Sequence, residues 1–216
     1  MRLLVLGGTG GVGRHVLRLA AAEGHAVTAL VRPTSGPAPP GVRLVHDEPL
    51  REGAIADLLP GHDAVVCSIG PRRRHVWNPW SALTSPEDLT SRVAGLLVQA
   101  MRRAGVTRAV VVSAAGVGDS APRMNLAMRG LVATSSIGLA YRDLAVMEQV
   151  LLAADDLDIT CVRPVTLTDR PPTGRVREVD RFGATLTIAR ADVARDLLDR
   201  VVATGRGSRT PQIAGP

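Results

Sequence analysis

Short apolar runs recur along the chain, separated by stretches in which apolar positions fall three and four residues apart. The runs Arg2–Leu6, Ala26–Val31, Val42–His46, 64–69, 109–113 and 159–163 predict strands, because an unbroken apolar run of this length suits a strand covered on both faces. Between them the helical period predicts helices over 11–23, 50–58, 86–104, 141–154 and 190–203. The third of these is the most fully specified. Ser85 stands as an N-cap, Pro86 fits the first turn, and Glu87 and Asp88 suit the positive end of the helix dipole. Leu89, Val93, Leu96, Leu97, Ala100 and Met101 then share one face. Strands alternating with helices imply a doubly wound parallel α/β sheet with right-handed crossovers, here as a single domain over 1–216.

Composition agrees with that class and narrows the chemistry. Hydrophobic residues make up 45% of the 216 positions but aromatics only 2%, so the core is expected to be Val, Leu, Ile and Ala. All 26 basic residues are Arg. The absence of Lys excludes a Schiff base, a Walker-type phosphate clamp and a Tyr-x-x-x-Lys proton relay. The net charge of +6 is spread along the chain without interleaved aromatics, which reads as a solvated basic surface rather than a nucleic-acid site. Cys67 and Cys161 lie inside apolar runs and read as buried free thiols. His15, His25, His46 and His62 show no metal-ligand spacing, so no metal is expected. No apolar run reaches the length of a membrane helix, and the sequence opens on a strand. The expectation is a cytoplasmic protein, monomeric or homodimeric, acting on a small molecule.

Three stretches are irregular: 33–41, 70–84 and 166–183. The last two leave strand ends, where open α/β sheets build their ligand pockets, and are the expected substrate loops.

Gly7, Gly10 and Gly13, within Gly7-Gly8-Thr9-Gly10-Gly11-Val12-Gly13, directly follow the first strand and directly precede an apolar-periodic helix. In that setting the glycines let a diphosphate approach backbone N–H groups at a helix N-terminus. The expectation is a Rossmann-type dinucleotide site. Where an NAD site places an acidic residue after the second strand, this chain has Arg32, whose planar fork suits a 2′-phosphate. NADP(H) is therefore the expected cofactor, with Arg14 as a second contact. Asp47, at the end of the third strand, is placed either to bond the adenine or to cap the turn before Glu48-Pro49.

These segments, together with 63–70, 110–116 and 158–164, resemble the atypical short-chain dehydrogenase/reductase superfamily. The similarity is to its NAD(P)H-binding branch, which includes flavin reductase/biliverdin-IXβ reductase and NmrA-like proteins. The resemblance implies that Ser68, Ile69 and Gly70 pass the cofactor ribose and diphosphate, that Pro164 lies on the cofactor side, and that Ser113 occupies the active-site Ser/Thr position. Tyr141, the only Tyr, falls 28 residues after Ser113, near the catalytic Tyr of many members, but Ala145 stands where they carry Lys. Without that cation nothing lowers a phenol pKa of about 10.

The stretch 70–80 holds both tryptophans and three successive arginines. Trp77 or Trp80 is placed to stack on a flat acceptor, Arg72 and Arg74 to bind its carboxylate or phosphate, and His75 to donate a proton; the other reading is a solvated surface loop. The function expected is an NADPH-dependent reductase of a planar or conjugated acceptor such as a flavin or quinone. A non-catalytic NADP(H) sensor of the NmrA type and an isomerase or epimerase on the same fold are the alternatives.

Overall fold

The computed structural model describes residues 1–33, 36–75, 78–183, 185–203 and 209–216. Its plan follows from alternation along β1 (Arg2–Leu6). Leu4 and Leu6 enter one apolar core and Leu3 and Val5 the other, and all four are fully buried. A strand apolar on both faces belongs at the centre of a sheet. β1 accordingly pairs in parallel with β2 (Ala26–Val31) on one side and β4 (Ala64–Cys67) on the other.

The remaining strands are β3 (Val42–His46), β5 (Arg108–Val112), β6 (Asp158–Pro164), β8 (Arg177–Glu178) and β10 (Gln212–Ala214). They complete an eight-stranded sheet of order β3-β2-β1-β4-β5-β6-β10-β8. β7 (Thr166–Thr168) and β9 (Thr187–Ala189) form a separate parallel pair. The strand order reverses between β1 and β4, the place where this architecture opens a crevice.

Helices α1 (Gly13–Ala22) and α5 (Arg190–Val202) cover the face carrying Leu3, Val5, Ala29 and Val66. On the face carrying Leu4, Leu6, Val65 and Val111 lie α2 (Leu89–Ala104) and α4 (Ile137–Leu152). The fold is a single-domain Rossmann-type α/β fold. Cys67 and Cys161 are free and buried, and burial pushes their thiols up to about 11 and about 12, which leaves both inert at neutral pH.

Several local expectations give way to tertiary interactions. Residues 50–58 form turns rather than a helix; Gly53 sits at φ +84, while Ala54, Ile55 and Leu59 still pack into the core. The sheet is not wholly parallel, since β8 runs antiparallel to β10. α2 begins at Leu89, not near Ser85, whose Oγ instead accepts from the Arg72 amide at 3.1 Å. The free amides of the α2 N-terminus are met from another helix. Asp143 on α4 accepts from Thr90 N at 2.7 Å, Thr90 Oγ1 at 2.6 Å and Ser91 N at 3.1 Å, a cap delivered through space rather than along the chain. α4 starts at Ile137, before Tyr141. It is preceded by a helix the periodicity does not reveal, α3 (Leu126–Thr134), which buries none of its residues and is capped by Asn125 accepting from Met128 N.

Among the described residues one ion pair has both side chains buried. Arg163 near the end of β6 and Glu148 on α4 are each 3% exposed. Arg163 Nε donates to Glu148 Oε1 at 2.9 Å, and Nη2 to Glu148 Oε2 and Asp119 Oδ1, both at 2.6 Å. Burial alone pushes the guanidinium down, but the bonds to Glu148 and Asp119 outweigh it and hold the pKa above the ordinary value.

Candidate functional site

A cleft of about 760 Å³ opens at the carboxyl ends of the central strands, and the glycine loop forms its inner wall. Gly7, Thr9, Gly10, Gly11 and Val12 line it. The loop is closed by Gly10 N donating to Gly7 O at 3.0 Å. Gly7 lies at φ +79, and a Cβ there would stand 2.9 Å from the Ile69 amide nitrogen. Gly13 sits behind the loop as the first residue of α1. A Cβ on it would fall 2.2 Å from Gly7 O and 2.6 Å from Ser68 Oγ. Ser68 Oγ donates to Gly7 O at 3.1 Å, tying the loop to β4. Ser68, Ile69 and Gly70 continue the cleft wall. No acidic residue occupies the first turn of α1, so no side chain of that turn competes with an anion there.

Along the outer wall, Arg32 at the end of β2 faces the cleft with Glu48, Pro49 and Leu50, and no ion pair engages its guanidinium among the described residues. Asp47 turns elsewhere: it accepts from Glu48 N at 2.8 Å and Arg51 Nε at 2.7 Å, and the Arg51 bond holds its carboxyl below the usual range. Arg14 is likewise engaged away from the lining, donating to Asp169 at 3.0 Å. Pro164 is buried in β6 opposite Ile213 and does not line the cleft.

Ser113 does line it, at 6% exposure, and its Oγ is buried without a protein hydrogen-bond partner. A buried hydroxyl left unpaired at a cleft is uncommon, since buried polar groups ordinarily find a partner. Tyr141 is placed differently. Its hydroxyl donates to the Ala115 carbonyl at 3.1 Å, burial pushes its pKa up, and it is outside the residues lining the cleft. The tyrosine ties α4 to the segment after β5.

The loop after β4 divides. Arg72 reaches the cleft with Pro71, Thr84, Ser85 and Pro86, fixed by Thr84 N donating to Arg72 O at 2.7 Å. Arg74 and His75 are not among the residues that line the cleft, and their amides donate to Ala82 O and Ser81 Oγ. Trp80 is 61% exposed, and Trp77 lies outside the described residues. The apolar end of the cleft comes from residues the sequence does not advertise: Leu89 of α2, Leu144 of α4 and Leu167 of β7. Arg190, the first residue of α5, also enters the cleft, beside Gly11. In the sequence it signals only a helix start. Among the described residues no group of three His, Cys, Asp or Glu is arranged to hold a metal, and no helix is long and apolar enough to cross a membrane.

The cradle therefore fits a dinucleotide: two positions admit no Cβ, a helix N-terminus carries no acid, and a hydroxyl waits unpaired further along. Comparison with known proteins agrees. None of the curated proteins matches the sequence. Among solved structures, ChuY, an anaerobillin reductase from Escherichia coli O157:H7, superimposes with a TM-score of 0.78 at 21% identity, covering 100% of this chain and 98% of that one. SP1627 from Streptococcus pneumoniae TIGR4, provisionally assigned as an NADH-flavin reductase, gives 0.75 at 23% identity over 100% of both chains. The oxidoreductase ylbE from Lactococcus lactis gives 0.79 at 21% identity, covering 100% and 91%. At these identities the likeness is one of fold. A family model described as NAD(P)H-binding matches residues 7–202. Because that match extends from the first glycine of the loop to the last turn of α5, the chain belongs to the NAD(P)H-binding family.

Proposed function

We propose that the protein is a cytoplasmic NADPH-dependent reductase that delivers a hydride to a small planar or conjugated acceptor such as a flavin, a quinone or a tetrapyrrole. The observation that carries this reading is the continuity of the cleft. Its lining joins the glycine loop and Ser113 to the apolar Ile69, Leu89, Leu144 and Leu167, the mix of convergent polar groups and apolar wall that suits a flat molecule against a nicotinamide. When bound, the nicotinamide supplies the hydride. The chain supplies binding and orientation. The glycine loop receives the diphosphate, Arg32 receives the 2′-phosphate, Ser113 offers its hydroxyl to the reacting end, and the leucines keep water out. Arg72 at the rim suits an acidic substituent on the acceptor.

A conjugated acceptor spreads the charge it gains over its ring system, so protonation need not accompany hydride transfer and can follow from solvent once the product leaves the leucine wall. The reaction then asks for no tyrosine–lysine pair, in a chain that has no lysine and whose single tyrosine is bonded to a backbone carbonyl. The reductase names of ChuY and SP1627 support the acceptor class.

Absorbance at 340 nm with NADPH and a panel of FMN, menadione and biliverdin tests the proposal. Turnover with at least one acceptor is expected. Tight NADPH binding without oxidation by any of them overturns the reductase and leaves a cofactor sensor. The cofactor preference has its own test: Arg32→Ala is expected to weaken NADPH binding about 10- to 100-fold, as loss of a charge-assisted phosphate contact does, and to leave NADH binding within about twofold. Equal loss for both, or none, removes Arg32 from the site.

A further inference from the structure

Three of the loop's glycines have a reason in the loop itself. Gly7, Gly10 and Gly13 hold the fingerprint spacing, and a Cβ on any of them would press on loop backbone or on the turn after β4. Gly11 is outside that spacing, and the atoms nearest to a Cβ on it would not be those of the loop. It would meet Arg190 instead, with Nε at 2.7 Å and Cδ at 2.8 Å. The missing side chain at position 11 makes way for an arginine that arrives from the far end of the sequence.

Arg190 is not loosely placed there. Its Nη1 lies 2.9 Å from Asp169 Oδ2, and the other oxygen of Asp169 is held by Arg14 at 3.0 Å. One exposed carboxylate thus ties two arginines together beside the N-terminus of α1. The segment carrying Asp169 is fixed in turn to α5: Asp192, on the same helical turn as Arg190, accepts from Thr173 N at 2.9 Å, Thr173 Oγ1 at 3.0 Å and Gly174 N at 3.0 Å. Arg190 and its counter-ion therefore form one unit, and the side chain, 21% exposed, lines the cleft beside Gly11 of the loop.

We propose that Arg190 binds the diphosphate of the dinucleotide, forming the cationic half of a clamp whose other half is the Gly7–Gly13 backbone. This rests on the family's cofactor and not on the reductase chemistry. Asp169 occupies one edge of the guanidinium and orients it, and the remaining N–H groups point at an anion seated on α1. A guanidinium fork and a helix N-terminus are complementary recognisers of the same group, one by charge-assisted bonds and the other by amides and dipole. The diphosphate is common to NADPH and NADH, so Arg190 sets affinity for both, whereas Arg32 discriminates between them.

The test is calorimetric titration of wild type, Arg190→Met and Arg190→Lys with NADPH, NADH and adenosine 2′-phosphate, with thermal melting of each protein alone. Arg190→Met is expected to weaken both dinucleotides by a similar factor, about 10- to 100-fold, and to leave adenosine 2′-phosphate, which lacks the diphosphate, within about twofold. Arg190→Lys should recover part of the loss, since it restores a point charge without the fork. Arg14 still pairs with Asp169 in either variant, so melting should shift little. A Met variant that binds both dinucleotides as wild type does overturns the assignment. So does one that loses adenosine 2′-phosphate in the same proportion, which marks a structural effect. A wild-type protein that binds neither dinucleotide overturns the cofactor reading beneath it.

Discussion

Gly13→Ala is expected to abolish measurable dinucleotide binding and to destabilise the fold by about 1–3 kcal/mol, the usual cost of overpacking a close-packed site. The added methyl would stand 2.2 Å from Gly7 O, 2.6 Å from Ser68 Oγ and 2.9 Å from Gly8 Cα. Two of those neighbours are loop backbone, which cannot swing aside as the end of a side chain can. Relief requires α1 to withdraw from β1 or the loop to open, and either move breaks the bond from Ser68 Oγ to Gly7 O and disperses the amides proposed to receive the diphosphate. Titration with NADPH reads the first effect and thermal melting the second. A variant that binds NADPH normally would show that the loop is not the seat of the cofactor.

The second large effect is expected at the buried ion pair. Glu148→Ala leaves the Arg163 guanidinium, 3% exposed in the wild type, with Asp119, itself 68% exposed, as its one remaining ion-pair partner among the described residues. Removing one member of a buried pair costs about 3–5 kcal/mol, mostly the penalty of the stranded charge. In a domain of this size that corresponds to a fall in Tm of roughly 10 °C. Asp119→Asn is the control, expected to cost less than about 1 kcal/mol because water screens its exposed carboxylate. Asp119 also sets a pH dependence. Its bond to Arg163 holds the carboxyl below the ordinary carboxylate range, so its contribution is complete above the unfolded pKa and is lost as the pH falls through the lower folded one. Guanidinium denaturation at pH 7 and near pH 3 measures both. Equal stability of the two variants at pH 7 would show that the pair is not a principal support of β6 and α4.

The same residues show where sequence reasoning reaches its limit. β1, β2, β4 and β5 announce themselves because a strand buried on both faces needs an apolar run, and Leu3–Leu6 or Ala64–Cys67 can hardly be anything else, while β3 and β6 are recognised by shorter apolar stretches in the same alternation with helices. The glycine loop, Ser113 and Arg32 follow, since each stands at the end of such a run. What escapes is whatever depends on a distant partner. Ser85 and Pro86 look like a helix start, yet Ser85 binds the Arg72 amide and Asp143 takes over the cap of α2 from α4. Residues 50–58 have apolar spacing enough for a helix, but Gly53 turns left-handed. β10 is three residues long, too short to show a period. Arg190 carries no local sign of a ligand, because its neighbour Gly11 is far away in sequence, and the leucines that wall the cleft come from α2, α4 and β7.

The place of β1 between β2 and β4 also bears on how the chain folds. Its partner on one edge follows within a short helix, but the other, Ala64–Cys67, lies some sixty residues on, and β6 must wait for Gln212 and Ile213 to complete its outer edge. Pairings of that span close large loops before any burial compensates for them, which slows two-state folding and prolongs the life of exposed strand edges. A strand whose Leu3–Leu6 are fully buried in the native protein is thus half-sheltered through much of its assembly, and refolding at low protein concentration should recover more of the chain than refolding at high.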